Sequence, residues 1–97
     1  MDPDLPEFMI ADVVTPTAGR DAGKLFYVIA ADESFLYLAN GKDRSLEKPK
    51  RKKRKHAKKV LRSETRVAEK IKNGDKVLNS ELRRDLAFLI REVQSMT

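Results

Sequence analysis

The chain has 97 residues, 21 of them Lys or Arg and 15 Asp or Glu, giving a formal net charge of +6. That length supports one small domain with a modest core and leaves little room for a deep substrate cleft. With no cysteine and one histidine, His56, disulfides, cysteine-type zinc sites and a His-rich metal set are excluded; no metal and no cofactor is expected.

The charge is unevenly spread. Lys48 to Arg62 holds ten Lys or Arg and no acid, which leaves eleven basic against fifteen acidic residues elsewhere, a net of −4. A mildly acidic body carrying one intensely cationic segment points to a polyanionic partner. No apolar run approaches the ~20 residues that span a bilayer. Met1-Asp2-Pro3-Asp4 is acidic where a secretory signal is basic. The expectation is a cytoplasmic protein with no membrane partner.

Residues 1–9 hold two prolines and three acids and read as a flexible acidic arm. Ile10 to Thr15, with β-branched Ile10, Val13 and Val14, is the first expected strand. Pro16 ends it, and Gly19 to Gly23 reads as a tight polar loop. Lys24 to Ala31 is nearly continuously apolar, the mark of a central strand covered on both faces. Asp32-Glu33-Ser34 reads as a turn before a further strand, Phe35 to Ala39. Asn40-Gly41 is a favoured hairpin dipeptide because both residues tolerate positive φ, so Arg44 to Leu46 is expected to return as a fourth strand. Lys58 to Arg62 is the candidate for a fifth, closing a small barrel and removing its edges.

The tail changes period. Ser63 is placed to cap a helix from Glu64 to Lys72, which Asn73-Gly74 then stops. Asn79 is placed to cap a second helix, Ser80 to Gln94. Its residues Leu82, Leu86, Leu89, Ile90 and Val93 form one apolar stripe, and Glu81 suits the first turn. The domain plan is an arm (1–9), a barrel (10–62) with a Lys/Arg-rich loop (48–59), and a helical extension (63–97). The fold expected is mainly β with an α-helical C-terminal extension.

Between Lys48 and Lys59 like charges are too dense to fold as a compact unit, so a mobile loop is expected. Each cation set against a phosphate releases counterions, which makes such a segment an RNA or DNA grip. A solvated run that keeps the protein soluble and an import signal at Lys50 to Lys55 are the competing readings. The Gly19–Gly23 loop is no nucleotide-binding P-loop, since Gly23-Lys24 is followed by Leu25 and a strand rather than by Ser/Thr and a helix. Phe26, Tyr27, Phe35 and Tyr37 lie on strands, with Phe35 and Tyr37 on one face. Core packing accounts for them better than base stacking, because the chain has few other large residues to fill a barrel. No catalytic triad or carboxylate pair can be placed, and neither an enzyme nor a small-molecule substrate is expected. His56 either hydrogen-bonds or stacks on RNA, or is an ordinary strand-edge residue.

Asp12-Val13-Val14, then Ala18-Gly19-Arg20-Asp21-Ala22-Gly23-Lys24 and the apolar run Leu25 to Ile29, resemble a KOW motif: strand, loop with a central glycine (Gly23), apolar strand. Ala39-Asn40-Gly41-Lys42, Arg44-Ser45-Leu46-Glu47-Lys48-Pro49-Lys50, the lysine-rich stretch into His56, and Lys72-Asn73-Gly74 with Asn79 to Arg83 extend the likeness. Together they resemble the small bacterial KOW-domain RNA-binding proteins, which are similar to eukaryotic and archaeal-type large-subunit ribosomal proteins with that domain. One position departs: KOW motifs usually carry a glycine, a turn element, where this chain has Ala11.

The resemblance implies an SH3-like β-barrel of about five strands, and association with RNA or the ribosome. The RNA-contacting candidates are Arg20, Asp21, Lys24, Lys42, Arg44, Lys48, Lys50, Arg51, Lys52, Lys53, Arg54, Lys55, His56, Lys58 and Lys59. Gly19, Gly23, Asn40 and Gly41 are the expected turn residues. The expected function is non-enzymatic binding of structured RNA, with ribosomal RNA as the partner. The alternative is an assembly or transcription-associated factor that docks on ribosomal or transcription proteins through the helix Ser80–Gln94.

Overall fold

The computed structural model describes residues 8–95. The expected acidic arm lies outside them except for Phe8 and Met9, and Phe8 is buried in the core, so the folded body begins earlier than residue 10. The strands are β1 (Asp12–Pro16), β2 (Phe26–Ala31), β3 (Phe35–Ala39), β4 (Lys50–Lys53) and β5 (Ala57–Arg62), with a 3-10 turn at Arg54–His56. The helices α1 (Arg66–Asn73) and α2 (Asn79–Ser95) follow. The strands form one antiparallel sheet in the order β4-β3-β2-β1-β5. Strand and helix contribute nearly equally, so the fold is mixed rather than mainly β.

The sheet is buried on both faces. Phe8, Val14, Phe26, Val28, Leu36, Leu38 and Ala57 form one apolar cluster. Val13, Tyr27 and Ala39 point the other way, as the two-residue period of a strand dictates, and meet Ala68 of α1 with Leu82, Leu86 and Leu89 of α2. Each buried leucine contributes roughly 1.5–3 kcal/mol relative to exposure. This accounts for the continuous apolar character of β2: Phe26, Tyr27 and Val28 are all fully buried, on alternating sides. The stripe on α2 is narrower than its sequence spacing, for Ile90 stays 38% exposed.

A hydroxyl network ties the helices to the sheet. The Tyr27 hydroxyl donates to Asp85 of α2 and shares hydrogen bonds with Ser63 (2.8 Å) and Thr65 (3.2 Å). Thr65 also donates to Asp85 (2.8 Å). Ser63 is therefore a buried partner of Tyr27, and the expected cap falls to Thr65, whose hydroxyl accepts from the Ala68 N–H. Gly74 ends α1 in the left-handed conformation.

The expected strand Arg44–Leu46 is instead an irregular loop. Asn40 does not adopt positive φ. Its side-chain oxygen accepts from the Lys42 and Arg44 N–H groups, which closes an Asx-type turn in place of a hairpin. Asn79 is likewise no simple cap. Its side chain accepts from the Leu46 N–H (2.8 Å) and donates to Glu47, while Glu81 accepts from the Leu78 N–H at the start of α2. The 40–47 loop and the start of α2 are thereby clamped. At the clamp Gly41 has φ +77°, and a Cβ there would stand 2.1 Å from the Asn79 carbonyl oxygen.

Gly41→Ala is expected to cost at least about 2 kcal/mol, combining a left-handed L-residue with a backbone clash, and to lower Tm by about 10 °C. Gly23→Ala, at φ +85° in open space, should cost only about 1 kcal/mol. Equal Tm losses for the two would show that the clamp is not tight. Burial, and then the hydrogen bond to Asp85, push the Tyr27 phenol well above its ordinary value of 10.0. The fold thus holds the neutral phenol: its stabilisation is complete below about pH 10 and declines as pH rises, because the unfolded tyrosine ionises first. Urea melts near pH 9 and about pH 11 should show a loss of about 1.4 kcal/mol per pH unit above 10 from this group. Tyr27→Phe, weaker by about 1–3 kcal/mol at neutral pH, should lack that component; an identical alkaline decline in both proteins would rule it out.

Candidate nucleic-acid interface

The cationic run is built into the sheet rather than looped out. Strand geometry makes this possible: alternation sends successive cations to opposite faces, so neighbours in sequence are not neighbours in space. β4 pairs with β3 in the register Phe35↔Lys53, Leu36↔Lys52, Tyr37↔Arg51 and Leu38↔Lys50. Lys50 and Lys52 share the side of the buried Leu36 and Leu38 and are half-buried, while Arg51 and Lys53 are exposed on the outer side.

Backbone bonds fix the 3-10 turn that follows. The Arg54 N–H donates to the Ser34 carbonyl (3.0 Å), and the Thr17 N–H donates to the His56 carbonyl (3.0 Å). The Arg54 guanidinium also donates to the Asp32 carbonyl (2.8 Å). The turn between β4 and β5 is thus seated against both the 32–34 turn and the start of the glycine loop. Lys52 adds a contact from its ammonium to the Ala18 carbonyl (3.4 Å). Arg54, Lys55, His56 and the Gly19–Gly23 loop are brought to one end of the sheet. His56 is exposed there.

On β5 the charge has a dedicated counter-ion. Asp12 has a side chain only 1% exposed and lies 3.3 Å from both Lys59 and Arg62. A carboxylate this buried needs such partners, so these two cations serve β5 itself. Among the described residues, Lys50, Lys53, Lys55 and Lys58 make no ion pair.

The glycine loop contributes less free charge than its sequence suggests. Asp21 is buried, with Lys24 at 3.6 Å and Arg44 at 3.5 Å, and Lys24 also meets Asp43 at 3.4 Å. The hydrogen bond from Asn40, with help from Lys24, holds the Asp43 carboxyl below its usual range. Asp21, Lys24 and Arg44 therefore brace the loop against the 40–44 turn. Arg20 is exposed at its tip. Lys24 and Lys42 lie with Arg83 on a groove of about 830 Å³, floored by Leu25, Leu86, Ile90 and Val93, and not beside β4. Lys48 is exposed ahead of β4.

Two residues assigned to the core on composition are not in it. Phe35 and Tyr37 are half-buried on the outer side of β3 and belong to neither apolar cluster. The Arg51 guanidinium lies over the Phe35 ring, 4.6 Å from its centroid. The signal was present in Phe35-Leu36-Tyr37-Leu38, where either the aromatics or the leucines had to face outward. Asp12 and Asp43, the anions that organise the cations, carry no such signal, because their partners are distant in sequence. Among the described residues no group of three or more His, Asp or Glu side chains is placed to hold a metal ion, and no helix is long and apolar enough to cross a membrane. In comparison with known proteins, the chain matches no family model and no curated protein.

Proposed function

We propose that this is a non-enzymatic, cytoplasmic RNA-binding protein of the KOW type, with an SH3-like barrel, that associates with ribosomal RNA. The observation that carries the reading is the cationic surface of β4, the 3-10 turn and Lys58, where Lys50, Lys53, Lys55 and Lys58 make no ion pair among the described residues, beside the Gly19–Gly23 loop. Phosphates are the chemistry that such a surface satisfies. Because its contacts are to backbone charge, it selects for RNA shape more than for base sequence.

Two further features support the family likeness. The sheet's edge strands, β4 and β5, are consecutive in the chain and joined by one 3-10 turn, an arrangement suited to a small barrel. Ala11, where KOW motifs carry glycine, has φ +71°, the left-handed region in which glycine is the unstrained residue.

If about six cations meet phosphates, affinity for a ribosomal RNA fragment falls roughly a thousandfold between about 50 and 200 mM salt. Lys53→Gln, Lys55→Gln and Lys58→Gln together keep the side-chain stems and should reduce the salt slope by about three with little change in Tm. Salt-independent binding, or an unchanged slope in that variant, would contradict this placement of the interface. A second reading, docking on a ribosomal or transcription protein through α2, is favoured by one observation: Phe88 and Ile90 are 51% and 38% exposed. On that reading Phe88→Glu with Ile90→Glu lowers co-sedimentation with ribosomal particles and spares RNA affinity. Unaltered co-sedimentation would remove α2 as an interface.

A further inference from the structure

Phe35, Tyr37 and Ala39 share one side of β3, the side whose Ala39 end packs on the helices. Ala39, the smallest, is fully buried beneath the helices, whereas the two aromatic rings are left partly open. In a small domain, where aromatic area is the most effective core material, leaving both rings outside either cluster is costly unless another molecule uses them.

The rings are also held in place. Asp32 accepts hydrogen bonds from the Ser34 and Phe35 N–H groups (3.0 and 2.8 Å) and from the Tyr37 hydroxyl (3.1 Å). One carboxylate thus fixes the turn that presents Phe35 and the orientation of the Tyr37 ring. The neighbouring strand sets Arg51 opposite Tyr37 and Lys53 opposite Phe35, one strand spacing of about 4.8 Å away. Arg51 already lies over the Phe35 ring and offers a flat cationic face of its own.

We propose that the Phe35–Tyr37 face of β3, with Arg51 and Lys53 alongside, binds an unpaired single-stranded RNA segment by stacking its bases. The inference rests on the RNA-binding reading and narrows it to a substrate class. Residues two apart on a strand are separated by about 7 Å, twice the roughly 3.4 Å step of a helical nucleic-acid strand. Because Arg51 covers the Phe35 ring, one base stacks on the guanidinium that Phe35 backs and its neighbour on Tyr37; the two reach both places only when unstacked from one another, which excludes a duplex at this face. The cations beside the rings then run along the phosphates of the same segment, the combination of stacking and backbone charge that single-strand sites use.

The test uses the full chain with three probes: an eight-nucleotide single-stranded RNA, the same strand with abasic sugars, and an RNA duplex matched in phosphate number. The wild type should bind the octamer about five- to a hundredfold tighter than its abasic counterpart. Phe35→Leu and Tyr37→Leu, each checked by thermal melt, should shrink that difference while leaving duplex affinity and its salt slope intact. Equal binding of octamer and abasic strand by the wild type overturns the inference without needing any variant to fold. Undiminished octamer binding by both leucine variants overturns it as well. Either result with duplex binding retained leaves the RNA-binding reading standing; no binding of any probe removes both.

Discussion

Tyr27 joins the two halves of this fold. Its ring is fully buried against α1 and α2, and its hydroxyl reaches Ser63, Thr65 and Asp85, residues that leave β5, start α1 and lie within α2. A polar group buried this deeply is tolerated only when hydrogen-bonded, and here one hydroxyl supports three elements. The helices are consequently no appended tail. Without them Val13, Tyr27 and Ala39 would face water, and the sheet would have one covered face instead of two.

That two-sided burial decides where the cations go. A strand in the middle of the sheet has no room for lysine on either face, so the basic segment occupies the two edges, β4 and β5. On β5 the buried Asp12 balances Lys59 and Arg62. On β4 the described residues supply no such acid, and the charge is divided between the two sides by the pleat. The positive potential is thereby concentrated along β4 and the turn after it, while the glycine loop is largely neutralised by Asp21 and Asp43.

Much of this architecture is legible in the chain itself. β2 and β3 follow from apolar, β-branched and aromatic runs bounded by turn residues, and α2 follows from its leucine stripe. The fifth strand is visible in Val60 and Leu61 despite their charged neighbours. β4 is hidden, because Lys50-Arg51-Lys52-Lys53 has neither strand propensity nor alternation; its conformation comes from pairing with β3, a tertiary effect that overrides local preference. The expected strand at Arg44–Leu46 failed for the complementary reason, since Asn40 and Asn79 claim that backbone's hydrogen bonds. At α1 the cap is Thr65, two residues beyond the expected Ser63: both side chains are suitable, and only Tyr27, thirty-six positions before Ser63, decides between them. For the candidate interface, the cationic residues are readable in the chain, but their division into bracing and free charge is not, because Asp12, Asp43 and the Asp21–Arg44 pair act across the fold.

The position of β4 at the end of the sheet carries a consequence for colloidal behaviour. An edge strand offers unpaired backbone groups to any passing chain, and rows of lysine are a common guard against such pairing. Here that guard is the Lys50–Lys53 segment, with two copies repelling one another edge to edge. Whatever neutralises these cations, whether a polyanion or acetylation of the three lysines, also lifts the protection. The guard on this edge is therefore conditional on charge state: a polyanion acts on all four cations, acetylation on the three lysines alone.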